Sequence, residues 1–368
     1  GSQTLWRIGI ADNSYDEFAI AGNYRLYTSR FSRDVTFIVG KSTPKRDWSF
    51  IQPGPIDYWA RHRRHPFRIR FNLSRVPGEY CRLVIDFVNT HRSHPPLFEV
   101  KINDRAQYQF ALPTGGDDRA LTNPKFGREY ILHVTFPARH LRRGENVITL
   151  TIIAGSWVLY DALWLEGDVA VPKDVLITNV QAKSTMLFKR INGQLKQLIE
   201  IVVTNTGAEG DAIVRITGAR RAEQKVHLII GSTTAQVFIK PIERPMKLRI
   251  TVQTAKTQRS TVIEAKPVRR WLVFVTPSTH TDIGYTDLQT RTFKRHNDNT
   301  KAAIEACSRE SVFKWNLEVA FQARNYRREG EHEFRKLVEH LRTGRIGLQG
   351  LYLNMLTGLC SGEELARA

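Results

Sequence analysis

The chain has 368 residues, of which 41% are hydrophobic and 25% charged; this composition is typical of globular proteins, and the length predicts two or three domains. No apolar run approaches the roughly 20 residues that a membrane-spanning helix requires, and the three cysteines lack the spacing of a zinc finger or a disulfide framework. The formal net charge of +19 favours an anionic partner, although a generally basic surface without a partner is the alternative. Because no helix-turn-helix, zinc-finger or RNA-recognition signature accompanies the basic clusters, we do not predict nucleic-acid binding.

Residues 3–168 carry many short strand-like segments that are rich in β-branched and aromatic residues. The clearest of them are residues 34–39, 67–71, 81–88, 97–102 and 147–153. Clusters of Gly, Pro, Asn and Asp separate the segments and mark turns. Many short strands with regular turns predict a β-sandwich of the jelly-roll type.

Several motifs in this part of the chain occur in a characteristic order. They are Leu5-Trp-Arg-Ile-Gly-Ile-Ala-Asp-Asn13, Thr36-Phe-Ile-Val-Gly-Lys41, Asp47-Trp48, Arg143-Gly-Glu-Asn-Val-Ile-Thr-Leu150, Leu159-Tyr-Asp161 and Leu163-Trp-Leu-Glu166. Through them, residues 3–168 resemble the carbohydrate-binding-like jelly-roll domain of rhamnogalacturonan lyases. The resemblance implies a module that packs on or binds sugar. It does not imply lyase catalysis, because the catalytic domain of those enzymes has no counterpart here.

A loop between two prolines is the best candidate for sugar contact in this domain. Tyr58 and Trp59 lie there beside a basic cluster; aromatic faces stack on pyranose rings, and Arg61 can pair with a uronate carboxylate. Further candidates for such a sugar platform are Trp48, Asn89 and His91. The alternative is that the tryptophans belong to the core of the sandwich, namely Trp6, Trp48, Trp157 and Trp164.

Residues 169–268 continue the rhythm of strands and turns in a smaller segment. Predicted strands cover residues 195–203, 211–217, 225–230, 236–239 and 247–254. The turn Thr204-Asn-Thr-Gly207 is one that we also expect in immunoglobulin-like spacer modules. Nothing in this segment concentrates chemistry, so we interpret it as an immunoglobulin-like β-sandwich that acts as a spacer.

From residue 269 to residue 368 the pattern changes to alternating strand and helix. A buried strand is predicted at residues 271–275, helices at 292–310 and 331–342, and further strands at 315–320 and 344–348. Ser361, ahead of two glutamates, is a predicted helix N-cap. This order predicts the first part of an incomplete α/β barrel, or an open α/β sheet. The predicted fold class of the whole chain is therefore multidomain β plus α/β.

His280 and Asp282 stand two residues apart where the predicted strand opens into a loop. Their side chains can therefore point at one ion, and imidazole with carboxylate is a ligand set that suits zinc. An isolated His-x-Asp pair is common, so the bare motif is a weak indication of a metal site. Secondary candidates for the rim of the site are Asp287, Glu318 and Asn354.

The pair belongs to a series of four ordered motifs. They are Ser278-Thr-His-Thr-Asp-Ile-Gly-Tyr285, Trp315-Asn-Leu-Glu-Val-Ala-Phe321, Gly344-Arg-Ile-Gly-Leu-Gln-Gly-Leu-Tyr-Leu-Asn354 and Glu363-Glu-Leu365. Through them, residues 271–368 resemble the opening of zinc-dependent retaining α-mannosidases. The resemblance implies that His280 and Asp282 are zinc ligands and that Tyr285 lines the sugar pocket. The family's catalytic aspartate and last zinc-binding histidine lie further along the barrel, so we expect a partial zinc site and no identified catalytic residue here.

Two functions remain open from the sequence. The first is the N-terminal part of an α-mannosidase-like, metal-dependent glycoside hydrolase that acts on plant or microbial polysaccharide and is inactive as this chain. The alternative is a non-catalytic protein that binds acidic, rhamnogalacturonan-like polysaccharide through the jelly roll. We expect either to be secreted or periplasmic. Because a partial barrel exposes apolar residues, we also predict a homodimer that covers Leu351-Tyr-Leu-Asn-Met-Leu356.

Overall fold

The computed structural model describes residues 2–271, 273, 275 and 277–367. The chain forms two compact units, residues 1–270 and residues 271–368. The first unit contains two separate apolar cores, one in each of two successive β-sandwiches. The second unit has a smaller core of its own.

Over residues 2–169, all of which the structure describes, ten strands build the N-terminal sandwich. They are β1 Gln3–Gly9, β2 Thr36–Ile38, β3 Ile51–Gln52, β4 Phe67–Leu73, β5 Tyr80–Thr90, β6 Leu97–Ile102, β7 Ala106–Ala111, β8 Tyr130–Pro137, β9 Gly144–Ala154 and β10 Val158–Val169. Two single-turn helices lie between strands, α1 Tyr27–Arg30 and α2 Pro44–Asp47. The first sheet has the order β1-β10-β5-β8, with β3 also paired to β10, and the second has the order β2-β4-β9-β6-β7.

Alternation of apolar and polar residues turns one face of each sheet inward. In β4, Phe67 and Ile69 are buried, whereas Arg68 and Arg70 reach solvent. The inward faces enclose a core rich in aromatic rings, in which the ring centroids of Trp48 and Phe67 lie 5.2 Å apart. The β-sandwich predicted for this part of the chain is confirmed.

The second sandwich follows directly in the sequence. Its strands are β11 Ile177–Ile191, β12 Gln194–Asn205, β13 Gly210–Gly218, β14 Ala222–Leu228, β15 Gly231–Ile239, β16 Met246–Gln253 and β17 Gln258–Ala265. They form the sheets β11-β12-β15 and β14-β13-β16-β17, which enclose an aliphatic core. This β-sandwich is also confirmed, whereas its role as a spacer stays a prediction.

The two sandwiches meet where β7 approaches β12 and β15. Ser232 Oγ accepts a hydrogen bond of 2.7 Å from the Ala111 N–H group. A Cβ atom at Gly231 would come within 2.6 Å of the Gln109 carbonyl oxygen, and the φ angle of Gly231 is +107°. The close approach therefore requires glycine at this position.

The C-terminal unit alternates helix and strand. Its elements are α3 Gln289–Arg309, β18 Trp315–Leu317, α4 Ala320–Tyr326, α5 Glu331–Arg342, β19 Ile346–Leu348 and α6 Gly362–Arg367. β18 and β19 are parallel, and Ser278 forms a parallel bridge with Asn316 of β18. This arrangement has α/β character, and the predicted incomplete barrel stays a prediction. None of the described helices is long and apolar enough to cross a membrane.

Two strand predictions in this unit are corrected. In the predicted buried strand at 271–275, Leu272 and Phe274 lie outside the described residues, and the others belong to no strand and are exposed, namely Trp271, Val273 and Val275. The strand predicted at 315–320 ends at Leu317. It ends there because the Gln322 side chain, from α4, accepts a 3.0 Å hydrogen bond from the Glu318 N–H group.

Two predictions concern the last residues of the unit. Ser361 caps α6 as predicted: its hydroxyl accepts from the Glu364 N–H at 3.2 Å, and the Glu364 carboxylate accepts from the Ser361 N–H at 2.6 Å. This is a capping box. Leu351 and Leu356 are exposed, and the homodimer that would cover them stays a prediction.

We expect Phe67→Ala to lower the free energy of unfolding by about 3–5 kcal/mol, because the ring is fully buried against Trp48 and Tyr160 and its loss leaves a cavity. Val76→Ala, in an exposed turn, is the control and should change it by about 0.5 kcal/mol or less. Urea unfolding followed by tryptophan fluorescence measures both, since five of the seven tryptophans lie in this sandwich. Equal losses of unfolding free energy in the two variants would contradict the assignment of Phe67 to the core.

Candidate functional site

His280 and Asp282 come together in the second unit, in the loop that precedes α3. Their facing atoms, His280 Nε2 and Asp282 Oδ1, lie 3.1 Å apart. The other ring nitrogen, Nδ1, lies 2.8 Å from Oε1 of Glu318, the residue that directly follows β18. Glu318 also accepts a 2.7 Å hydrogen bond from the Thr281 N–H group. The bridge between Ser278 and β18 thus places the imidazole between two carboxylates.

The two carboxylates stabilise a protonated imidazole. The hydrogen bond and negative charge of Glu318, followed by the charge of Asp282, raise the pKa of His280. Burial acts to raise the pKa of Glu318, but its hydrogen bonds with His280 and Thr281 outweigh burial and hold that pKa below its usual value. Histidines that bind metal commonly donate their second ring N–H to a carboxylate, and Glu318 occupies that position.

The remaining predicted residues of this loop contribute less. Tyr285 is 89% exposed, and no contact among the described residues joins it to the His280 pair. Asp287 forms ion pairs with Arg291 and Arg295 at the start of α3, so its role is structural. The assignments of His280 and Asp282 to zinc, and of Tyr285 to sugar, stay predictions.

The loop predicted to contact sugar in the first sandwich divides its residues between surface and core. Tyr58 is 78% exposed, and Arg61 is exposed in the left-handed region with a φ angle of 69°. Trp59 is half-buried instead, because its ring packs edge-on against Tyr24 and Tyr27, with centroids 5.0 and 6.2 Å away. Tyr58 and Arg61 therefore remain available to a ligand, whereas much of Trp59 is committed to packing.

The wider sugar platform is corrected. Asn89 is buried, and its amide satisfies backbone groups: it donates to Asp117 O at 3.2 Å and accepts from the Gly116 N–H at 2.7 Å. Trp48 is fully buried, and with Trp6 and Trp157 it belongs to the core, as the alternative predicted. The same prediction was wrong for Trp164, which is only half-buried.

The structure assembles a polar cleft that the sequence did not indicate. It has a volume of about 450 Å³ and lies on the outer face of the second sheet, beside the turn between β6 and β7. Its lining includes Thr36, Arg68, Arg70, Asn103, Arg105 and Arg142, together with the acidic Asp104 and Glu145. Glu145 pairs with Arg70, and Arg68 pairs at 3.0 Å with Asp34 outside the lining.

Arg105 and Arg142 have no carboxylate partner among the described residues. Arg105 donates to the Arg139 carbonyl at 3.0 Å, and Arg142 Nε donates to the Glu145 carbonyl at 2.8 Å. The turn that carries Arg105 is anchored, because Asn103 Oδ1 accepts a 2.8 Å hydrogen bond from the Val147 N–H group of β9. The cleft thus presents two arginines with spare hydrogen-bond donors on an ordered backbone, an arrangement that suits a carboxylate.

One signal in the sequence could have found part of this cleft. Arg68 and Arg70 alternate with buried residues in β4, which places both on the outer face of a predicted strand. Arg105 and Arg142 lie in turns 37 residues apart, and only strand pairing brings those turns to one place.

Residues 4–165 match the family model described as CBM-like: Polysaccharide lyase family 4, domain III. Among curated proteins, the rhamnogalacturonate lyase of Dickeya dadantii (strain 3937) is 30% identical over 167 residues. The match covers 44% of this chain and 27% of that lyase, so the chain spans about a quarter of the relative. The predicted resemblance of residues 3–168 to this lyase domain is confirmed.

Similar solved structures include Bacteroides uniformis beta-glucuronidase 2, covalently bound to cyclophellitol-6-carboxylate aziridine, at 12% identity and a TM-score of 0.18. That match covers 83% of this chain and 43% of the other. The Amycolatopsis orientalis exo-chitosanase CsxA matches at 10% identity and a TM-score of 0.21, over 81% of this chain and 37% of the other. Scores this low support no inference about fold or function.

We expect Trp59→Ala to lower the free energy of unfolding by about 2 kcal/mol, because its ring packs against Tyr24 and Tyr27. The neighbouring variant Tyr58→Ala, at an exposed residue, should change it by about 0.5 kcal/mol or less. Urea unfolding followed by far-ultraviolet circular dichroism measures both without relying on the deleted tryptophan. A neutral effect of Trp59→Ala would show that this ring is not needed for packing.

Proposed function

We propose that the chain recognises an acidic polysaccharide through its N-terminal sandwich. The match of residues 4–165 to a carbohydrate-binding-like lyase domain supports recognition of a polysaccharide. The lyase that is similar to this region is named for rhamnogalacturonate, a polymer that carries carboxylates. The net charge of +19 favours such a ligand over a neutral one.

The observation that carries the proposal is the pair of arginines without carboxylate partners in the cleft. A uronate carboxylate accepts two parallel hydrogen bonds from one guanidinium group, which gives both affinity and orientation. Arg105 and Arg142 take this role, and the ion-paired Arg68 and Arg70 add positive potential beside them. Tyr58 and Arg61 are further candidates for ligand contact outside the cleft.

In this proposal the chain is a recognition part of a secreted or periplasmic carbohydrate-active enzyme, or a binding protein without catalysis of its own. The sandwich holds the enzyme on an anionic polymer, which raises the local concentration of substrate for a linked catalytic domain. The second sandwich then acts as the spacer between the binding and catalytic parts.

Arg105→Ala and Arg142→Ala should each weaken binding to polygalacturonate about tenfold or more, because a charged hydrogen bond contributes about 1.5–3 kcal/mol. Arg75→Ala, which removes an exposed arginine after β4, is the matched control and should retain binding. Isothermal titration calorimetry with polygalacturonate and with a neutral galactan measures both affinity and preference. Equal weakening by all three variants would indicate nonspecific charge attraction and reject the cleft.

A second candidate function is supported by the geometry around His280. We propose residues 271–368 as the opening of an α-mannosidase-like barrel in which His280 Nε2 and Asp282 Oδ1, 3.1 Å apart, bind zinc. Glu318 would hold the ring orientation through Nδ1. Two protein ligands are fewer than the three that catalytic zinc sites use, so zinc binding through this pair is expected to be weak.

His280→Ala should reduce zinc uptake in equilibrium dialysis against zinc chloride, because it removes one of the two proposed ligands. His332→Ala, at the exposed start of α5, is the control and should bind as much zinc as the unaltered chain. Equal zinc uptake by all three proteins would reject the metal assignment while leaving the polysaccharide proposal intact.

A further inference from the structure

Three carboxylates gather on the outer face of the first sheet. They belong to Asp86 in β5, Asp161 in β10 and Glu129 just before β8, and one oxygen from each lies within 4.8 Å of the others. These strands are neighbours, in the order β10-β5-β8. The cluster therefore lies on a different sheet from the arginine cleft.

A β-bulge contributes to this arrangement. In the pairing of β10 with β5, Tyr160 faces Phe87 and Ala162 faces Asp86, so that Asp161 is the extra residue between them. A bulge re-aims the side chain of its extra residue. Here it brings the Asp161 carboxylate to Asp86, the next outward-facing position of the neighbouring strand.

The loop that follows β1 closes over Asp161. The Asp161 carboxylate accepts backbone hydrogen bonds from Asp12 at 3.2 Å and from Asn13 at 2.9 Å. Gly9 makes the turn possible: its φ angle is +83°, and a Cβ atom there would lie 2.5 Å from the Asp161 carbonyl oxygen. Residues 12 and 13 are thus attached to the sheet through one of the three carboxylates.

Asp86 is the member of the cluster without compensation. Asp86 is only 2% exposed, and its Oδ1 atom is buried without a hydrogen-bond partner. Among the described residues, no lysine, arginine or histidine forms an ion pair with Asp86, Glu129 or Asp161. Burial, and then the charges of Asp161 and Glu129, raise the pKa of Asp86 to about 7. A buried carboxylate beside two others is unfavourable unless a cation or a proton compensates it.

We propose that Asp86, Glu129 and Asp161 form a binding site for a divalent cation, with calcium as the preferred ion. Carboxylate oxygens are the ligands of hard cations, and the absence of nitrogen and sulfur donors from the three disfavours zinc. Calcium accepts six to eight oxygens in flexible geometry, so water and nearby backbone carbonyls can complete its shell around one exposed and two buried carboxylates. Magnesium requires a stricter octahedron.

The bound ion stabilises the folded chain. It joins the central strands of the sheet to the loop after β1, because Asp161 holds that loop. An ion that binds only the folded chain stabilises it in proportion to the logarithm of ion concentration over Kd. This site is separate from the proposed polysaccharide cleft, and its existence does not depend on that function.

The test uses the full chain, stripped with EDTA and examined at pH 8. Equilibrium dialysis against calcium chloride should give one calcium ion per chain. Millimolar calcium should raise Tm by roughly 5–10 °C relative to EDTA, and millimolar magnesium should raise it less. Failure to bind calcium in dialysis, together with equal Tm values in calcium and EDTA, would overturn the proposal.

Variants distinguish a metal site from a merely buried acid. Asp86→Asn should keep or raise Tm in EDTA, because it removes an uncompensated buried charge, and should abolish the rise in calcium. Glu129→Gln, at an exposed residue, should reduce the rise in calcium. Glu79→Gln, at an exposed residue of the same sandwich, should retain it. A calcium effect that persists in both Asp86→Asn and Glu129→Gln would place the ion elsewhere and reject this site.

Discussion

The N-terminal sandwich depends on burying the inner faces of two sheets against each other. Side chains alternate along a strand, so the positions that commit Phe67 and Ile69 to the core also commit Arg68 and Arg70 to the outer face. The aromatic core around Trp48 therefore does more than stabilise the domain. By fixing which side chains point inward, it also fixes which point outward on each sheet. The polar side chains that could bind ligands are divided between these two outer faces.

The two outer faces carry local clusters of opposite charge. One has a cleft with four arginines against two carboxylates, and the other has three carboxylates without a basic partner among the described residues. Sheets packed face to face lie about 10 Å apart, so an apolar layer separates these charges. Each face can then attract its own class of ligand, an anionic polymer on one and a divalent cation on the other. In a chain with a net charge of +19, the acidic cluster is the more unexpected of the two.

The second unit organises its polar residues in a different way. Its core is small, and three kinds of contact set the position of His280: hydrogen bonds to Glu318, the backbone bridge from Ser278 to β18, and the buried Gln322 side chain, which donates to the Thr279 carbonyl and to Thr281 Oγ1. The imidazole of His280 is nevertheless exposed. The loop can supply two ligands to an ion, the His280 and Asp282 side chains.

The predictions made from sequence succeeded where they rested on local rules. Periodicity placed α5 over the predicted residues 331–342, turn residues separated the strands of both sandwiches, and the predicted helix N-cap at Ser361 is confirmed. The strand predicted at 315–320 is present but ends at Leu317, because the Gln322 side chain of α4 accepts a hydrogen bond from the backbone N–H of Glu318, a contact that alternation cannot reveal. Asn89 was predicted to contact sugar because its polarity is evident from the sequence. The buried backbone groups that it hydrogen-bonds are not evident from the sequence.

The sequence by itself determined which residues are apolar and at what period they recur, and that was enough to establish two β-sandwiches followed by an alternating unit. Only the tertiary structure decided which polar residues meet. Arg105 joins Arg142 through strand pairing, and Asp161 joins Asp86 and Glu129 through a bulge and neighbouring strands. The physical reason is that burial follows local alternation, whereas a binding site depends on distances between residues far apart in the chain.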